Sequence, residues 1–264
     1  MVSLDAAALE QLFQLVVVGG LAFVRVGALF LTAPVLSHGG LPLLFRASLA
    51  LVIVVGMLPA LPPQPPLELH PWVLLLLALK EATIGALIGF LSSGVLSAAR
   101  FAGGLLDMDI GFQTALLFDP NLGGFPTLVG EFFAFAALML FFGLGGVETL
   151  LVALTESIRL LPLTALTFPA VTAPELVRWV GALTALAVSI AAPVMAALFV
   201  SLWGLALLAR TAPQINIFML SFSLKAAIGI GMLFVSVPLI VVLLRTAVQV
   251  LQQEVLLVVR TLAP

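Results

Sequence analysis

DMDIGFQTALLFDPNLGGFP, residues Asp107 to Pro126, interrupts an otherwise nearly continuous apolar chain with turn residues, acids and aromatics. Lipid offers no hydrogen-bond partner to backbone loosened by Gly111, Pro120, Gly123, Gly124 and Pro126. Irregular chain at membrane depth must therefore be buried in protein or face a water-filled path. The stretch reads as a candidate gate, and the chain around it as membrane helices.

Composition supports that frame. Hydrophobic residues make up 63% of the 264 positions and charged residues 8%, against roughly 45–50% and roughly 25% in soluble domains. The net charge is −2 and the ten Lys and Arg are scattered singly, so no basic block points to nucleic acid. The absence of Cys excludes disulfides, thiolate metal sites and Cys nucleophiles. The two His, His38 and His70, sit beside Gly or Pro in expected turns, which argues against a His-based metal centre. The first apolar stretch carries Asp5 and Glu10 and runs past Arg25 to about Phe45. That is longer than the ~7–15 apolar residues of a signal peptide and lacks its positive start, so the segment is expected to be retained.

Apolar runs at about 11–36, 43–61, 71–99, 127–155, 176–209 and 213–258 predict six long, kinked helices arranged as hairpins. Between the second and third lies LPALPPQPPLELHP, Leu58 to Pro71, a linker whose five prolines from Pro59 to Pro66 remove donors and fix φ. Gly143, Gly145 and Gly146 loosen the fourth run, and Pro162 closes it. Trp179 to Ala209 carries no charge. As one straight helix it would reach ~46 Å, so it must tilt, kink at Pro193, or leave the ~30 Å hydrocarbon layer. Gly85, Gly89 and Gly94 either give the third run a small-residue face suited to helix packing within an assembly or are simply the glycines common in membrane helices.

Arg25, Lys80 and Glu81 lie inside apolar runs, where charges must be paired or wetted. They fit either a structural pair or an ion path. Lys80 and Glu81 are neighbours in sequence and point in different directions on a helix, so each is expected to need a partner elsewhere. Asp107 and Asp109 with Asp119 match no calcium loop and read as a helix-terminating acidic turn. Glu156 and Arg159, three apart, are expected to pair locally. No nucleophile elbow, Walker loop or dinucleotide motif is present, which argues against an enzyme, and no catalytic residue or cofactor is assigned.

Five blocks carry a family resemblance: RVGALFLTAP (Arg25–Pro34), LKEATIGALIGF (Leu79–Phe90), GFQTALLFDP (Gly111–Pro120), FFGLGGVETLLVALTESIRLLP (Phe141–Pro162) and APQINIFMLSFSLK (Ala212–Lys225). In order and spacing the chain resembles the flagellar biosynthesis protein FliR family, which includes the SctT-type subunits of virulence injectisomes. The resemblance implies a type III secretion export gate in the bacterial inner membrane at the flagellar basal body. Its implied partners are FliP- and FliQ-like subunits, FlhB-like and FlhA-like export proteins, and unfolded secreted substrates. It also implies a FliP-like part at about 1–175 and a FliQ-like helical hairpin at 176–264, in subunits that spiral into a cone lifted partly out of the bilayer.

Carried over by position, the resemblance places a hydrophobic plug within 107–126, with Ile110, Phe112, Leu116, Leu117 and Phe118 as its apolar contacts. Gly111, Pro120, Gly123 and Gly124 would be its hinges. Asp109, Gln113 and Thr114 depart from the usual pattern by their polarity. Gln214, Asn216 and Lys225 cluster at the turn of the last hairpin and are expected to make intersubunit polar contacts. Two other readings compete with the gate. One is an autonomous polytopic transporter or ion channel lined by Arg25, Lys80, Glu81 and Glu131; the other is a scaffold for membrane assembly without a gating segment.

Overall fold

Proline and glycine punctuate the chain and helices fill the intervals. A computed structural model describes residues 6–33, 42–65, 70–112, 127–166, 173–212, 214 and 216–261. Its α-helices are α1 (Ala6–Thr32), α2 (Leu43–Met57), α3 (Pro71–Ile110), α4 (Leu128–Gly143), α5 (Gly146–Leu160), α6 (Ala173–Thr211) and α7 (Ile217–Thr261), with a short 3-10 turn at Leu58–Ala60. No strand occurs among the described residues. The architecture is all-α, as the composition requires.

The boundaries have local causes. Pro71 opens α3, where its missing N–H would have no helical partner anyway. Gly111, at φ 100°, closes it, a backbone state in which a side chain is strained. The run expected at 127–155 divides in two because Gly145 takes φ 76° and cannot continue a right-handed helix. The run expected to end at 99 instead continues to Ile110, since Arg100 sits on the exposed side and Gly103 is packed against another backbone. Pro193 stays inside a continuous α6 and Pro238 inside α7.

α3, α6 and α7 contain 40, 39 and 45 residues, or about 60 Å for the first two and about 68 Å for the third. That is about twice the hydrocarbon thickness of a bilayer. Among the described residues, five helices are long and apolar enough to cross a membrane, or up to six if α4 and α5 count as one broken span.

The chain folds into two compact units that interleave along the sequence. Met1–Ser93, Gly145–Ala173 and Val250–Pro264 form the first; Gly94–Leu144 and Pro174–Gln249 form the second. In the first, α1 lies against α3 at glycines: a Cβ on Gly85 would fall 2.9 Å from the Arg25 carbonyl carbon, and one on Gly89 2.6 Å from the Leu29 oxygen. Thr32 also donates to the Ala86 carbonyl at 3.2 Å. The small-residue face at Gly85 and Gly89 is thus filled within the chain by α1.

The proline-rich linker is docked at Gln64 and Pro65. Gln64 accepts the Leu163 N–H at 2.8 Å and Thr164 donates to the Pro65 carbonyl at 2.9 Å. In the second unit, α3, α4, α6 and α7 share a core that includes Leu106, Ile110, Phe133, Ile190, Val194 and Leu244. Gly94 there is covered by the Trp179 ring.

Candidate functional site

The chain from Asp107 to Pro126 runs from the last turn of α3 towards α4, and the two helices it joins are tied by one carboxylate. Asp107, in the last turn of α3 and fully buried, accepts the N–H of Val129 at 3.0 Å and of Gly130 at 3.1 Å. Those amides belong to the first turn of α4, where helical N–H groups have no partner within the helix. Thr127 occupies the N-cap position but contributes no side-chain bond. The negative charge therefore caps a neighbouring helix end and meets the positive end of its dipole.

Glycines make the approach possible. A Cβ on Gly103, four residues before Asp107, would collide with Gly130 and lie 2.6 Å from the Val129 carbonyl carbon. A Cβ on Gly130 would lie 2.9 Å from the Arg100 oxygen. Further along the stem, Arg100 and Glu131 form a two-pronged pair at 3.0 and 3.3 Å, with side chains 44% and 59% exposed. From sequence alone Asp107 reads as part of a helix-terminating acidic turn, and its capping role is a finding of the structure. The available signal was Gly103 and Asp107 at i, i+4 spacing, which puts both on one helix face.

Of the plug residues, Ile110 is the last residue of α3 and is buried in the subunit's own core. A Cβ on Gly229 of α7 would lie 2.9 Å from its Cδ1. Phe112 packs partly buried against the same core. Gly111 faces the Phe222 ring at 3.4 Å, measured from where a Cβ would stand. Leu116, Leu117, Phe118, Asp119, Pro120, Gly123 and Gly124 lie outside the described residues.

The intramembrane charges meet one another in the first unit. Arg25, Lys80 and Glu81 are each 0% exposed. Arg25 Nε donates to Glu81 Oε2, and Lys80 Nζ stands 2.8 Å from Glu81 Oε1. Lys80 and Glu81 thus do pair directly, correcting the expectation drawn from their adjacency: two flexible stems can bring their ends together although their Cβ atoms diverge. The remaining donors also find partners within the chain. Arg25 donates to Ser157 Oγ and to the Leu161 carbonyl at 3.0 Å each, and Lys80 to the carbonyls of Pro162, Leu163 and Ala165 at 2.8, 3.3 and 2.7 Å. Two cations share one anion, and carbonyls after α5 absorb the surplus.

Elsewhere, Glu156 and Arg159 approach only to 3.9 Å on an exposed face. At the turn before α7, Asn216 Oδ1 accepts the Met219 N–H at 3.3 Å and so caps that helix, while Gln214 is exposed and Lys225 half-buried. The turn does not bring these three together through any bond seen among the described residues.

Residues 16–251 match the family described as "Bacterial export proteins, family 1". The chain is 30% identical over 229 residues to the "Flagellar biosynthetic protein FliR" of Bacillus subtilis, covering 85% of this chain and 88% of that one. It is 33% identical over 215 residues to the "Yop proteins translocation protein T" of Yersinia pestis, covering 78% and 80%. To the "Surface presentation of antigens protein SpaR" of Salmonella typhimurium it is 29% identical over 222 residues, covering 83% and 82%.

Proposed function

Because the chain belongs to the bacterial export protein family, we propose that it is a non-enzymatic subunit of a type III secretion export gate in the inner membrane. It assembles there with FliP- and FliQ-like subunits, alongside FlhB-like and FlhA-like proteins, into a channel for unfolded polypeptides. The observation that carries this reading is the family match, which spans nearly the whole chain and reaches flagellar and translocation proteins at similar identity. In this reading α6 and α7 are the FliQ-like hairpin, and Gln214, Asn216 and Lys225 contact neighbouring subunits. We take the flagellar basal body as its site; the Yersinia relative favours a virulence injectisome as the second reading. Gene disruption separates them: loss of flagellar filaments supports the first, loss of needle-dependent secretion with filaments intact the second.

The reading includes a plug at Ile110–Phe118 that closes the idle channel. A pore wide enough for an unfolded chain would leak ions, and an apolar constriction resists this because ions are poorly solvated there. With Ile110 and Phe112 packed on the subunit core, they anchor the segment, and Leu116, Leu117 and Phe118 supply the seal. Support against an autonomous transporter comes from Arg25, Lys80 and Glu81, which are wholly enclosed and engaged by protein groups. Deleting 112–118 in the assembled gate should raise idle ion conductance with assembly retained. A deletion that assembles and stays electrically tight removes the plug.

A further inference from the structure

We propose that a band on α7, from Ala226 to Leu244, is the surface by which the second compact unit meets lipid, with Lys225 and Arg245 marking the two headgroup levels. Only part of the 45 residues of α7 can lie in a bilayer. Between Lys225 and Arg245 no side chain is charged. The interval of about 19 residues rises ~28 Å, close to the ~30 Å of the hydrocarbon layer. Lipid demands that match of length, whereas a protein partner would leave it arbitrary. Exposure follows the same pattern: Phe234 and Val235, at the midpoint of the band, are 75% and 73% exposed, while Ser236, its only hydroxyl, is turned inward at 4%.

A second set of residues gives the same two levels. α6 and α7 share a core and are joined by the short turn at 212–216, so they run antiparallel. Trp203, 62% exposed, stands about 12 Å before the end of α6, and Lys225 about 12 Å after the start of α7. They therefore share one height, and tryptophan at that height fits the belt where hydrocarbon meets headgroups. α3 runs alongside, with Gly94 under the Trp179 ring and Ile110 against Gly229. That places the exposed Arg100–Glu131 pair towards the Arg245 end of the band, and Asp109, next to Ile110, at the Lys225 end. Arg178 and Arg210 stand near the two tips of α6, beyond the band. Among the described residues of this unit, no exposed charge thus lies at mid-band, where one would be costly. The long stems of Lys and Arg at the two ends can carry their charges out to phosphates. Lys225 marks its level whether its amine meets a phosphate or a neighbouring subunit.

The chain has no Cys, so single cysteines can be introduced without background from it. Phe234→Cys, Val235→Cys, Met219→Cys and Gln249→Cys all fall on exposed positions of α7. Each carries a nitroxide in the full chain, purified with its associated subunits and reconstituted in vesicles of phosphatidylethanolamine and phosphatidylglycerol. The readout is the accessibility of oxygen, which concentrates in lipid, against that of a water-soluble nickel chelate. The oxygen-to-nickel ratio should be severalfold higher at 234 and 235 than at 219 and 249. Ile230→Cys and Val242→Cys read the same band if the central labels disturb assembly. Exclusion of both reagents from 234 and 235 would mean that another chain covers the band, and equal access that water does; either result overturns the proposal. Arg245→Leu lengthens the charge-free run to Gln249 and should move the maximum about half a turn on, to Val237. A maximum that stays at Val235 removes Arg245 as a boundary. The readout needs no transport, so its outcome is separate from that of the export-gate reading.

Discussion

Glu81 pairs with a guanidinium and an ammonium at once, in a place where neither could stand alone. Removing one member of a buried ion cluster costs roughly 3–5 kcal/mol because the partner charge stays behind. Glu81→Ala leaves two cations and should lower the unfolding free energy of the assembled protein by about that much. Lys80→Met leaves Arg25 and Glu81 balanced and forfeits the bonds to Pro162, Leu163 and Ala165, so a smaller loss of about 1–3 kcal/mol is expected. Arg159, 68% exposed with a distant partner, can go to Ala within about 0.5 kcal/mol. Denaturant titration of the purified complex checks the ranking; equal midpoints for Glu81→Ala and Arg159→Ala would contradict the keystone role. That Arg25, Lys80 and Glu81 needed partners was legible from sequence, because charge in an apolar run has few solutions. Which groups those partners were was not: Ser157 lies more than a hundred positions from Arg25, and a hydrogen bond to the Leu161 carbonyl leaves no mark in residue identity.

The start of α3 was written in Pro71, where donor count decides alone, whereas its end at Gly111 and the break at Gly145 were not, the runs being expected over 71–99 and 127–155. Helix pairs were written less clearly. Gly85 and Gly89 signalled close approach, yet the occupant came from α1 instead of another subunit, since small residues specify distance and not identity. The Asp107 clasp was hidden for a related reason: its acceptors serve backbone amides, which every sequence carries. The same geometry predicts how the elements respond to a methyl group. Gly85→Ala must push α1 off α3, an overpacking that costs about 1–3 kcal/mol. Gly181→Ala in α6 meets nothing within 4 Å and should gain up to roughly 1 kcal/mol in helix propensity. Thermal unfolding of both variants should shift in opposite directions. At the α6–α7 turn, Asn216 already serves its own helix, so of the proposed intersubunit contacts Lys225 is the stronger candidate. Lys225→Ala should reduce co-purification with FliP- and FliQ-like subunits, while Asn216→Ala costs helix capping of about 1 kcal/mol with less effect on yield; the reverse order would shift the contact to Asn216.

At the scale of the molecule, the decisive quantity is length. α3, α6 and α7 each reach about 60 Å or more, and a bilayer covers about half of that. Large side chains stay exposed along all three, including Phe101 and Met108 on α3, Phe199, Trp203 and Leu207 on α6, and Phe234, Val235 and Leu257 on α7. Tilt alone cannot bury helices twice the membrane thickness, because even at the ~40° upper end of observed tilts a ~60 Å helix still extends well beyond a ~30 Å hydrocarbon layer. Part of each apolar face must therefore meet protein. Chains carrying exposed patches beyond what lipid covers associate or aggregate. Expressed alone, the protein should be degraded or recovered as aggregate even in mild detergent. Co-expressed with FliP- and FliQ-like partners, it should elute as one monodisperse species with a longer half-life in the membrane. Detergent reaches apolar surface that lipid does not, so pulse-chase lifetime in intact cells is the sharper measurement. An equal lifetime with and without the partners would mean that lipid suffices and that the excess length of these helices needs another cause.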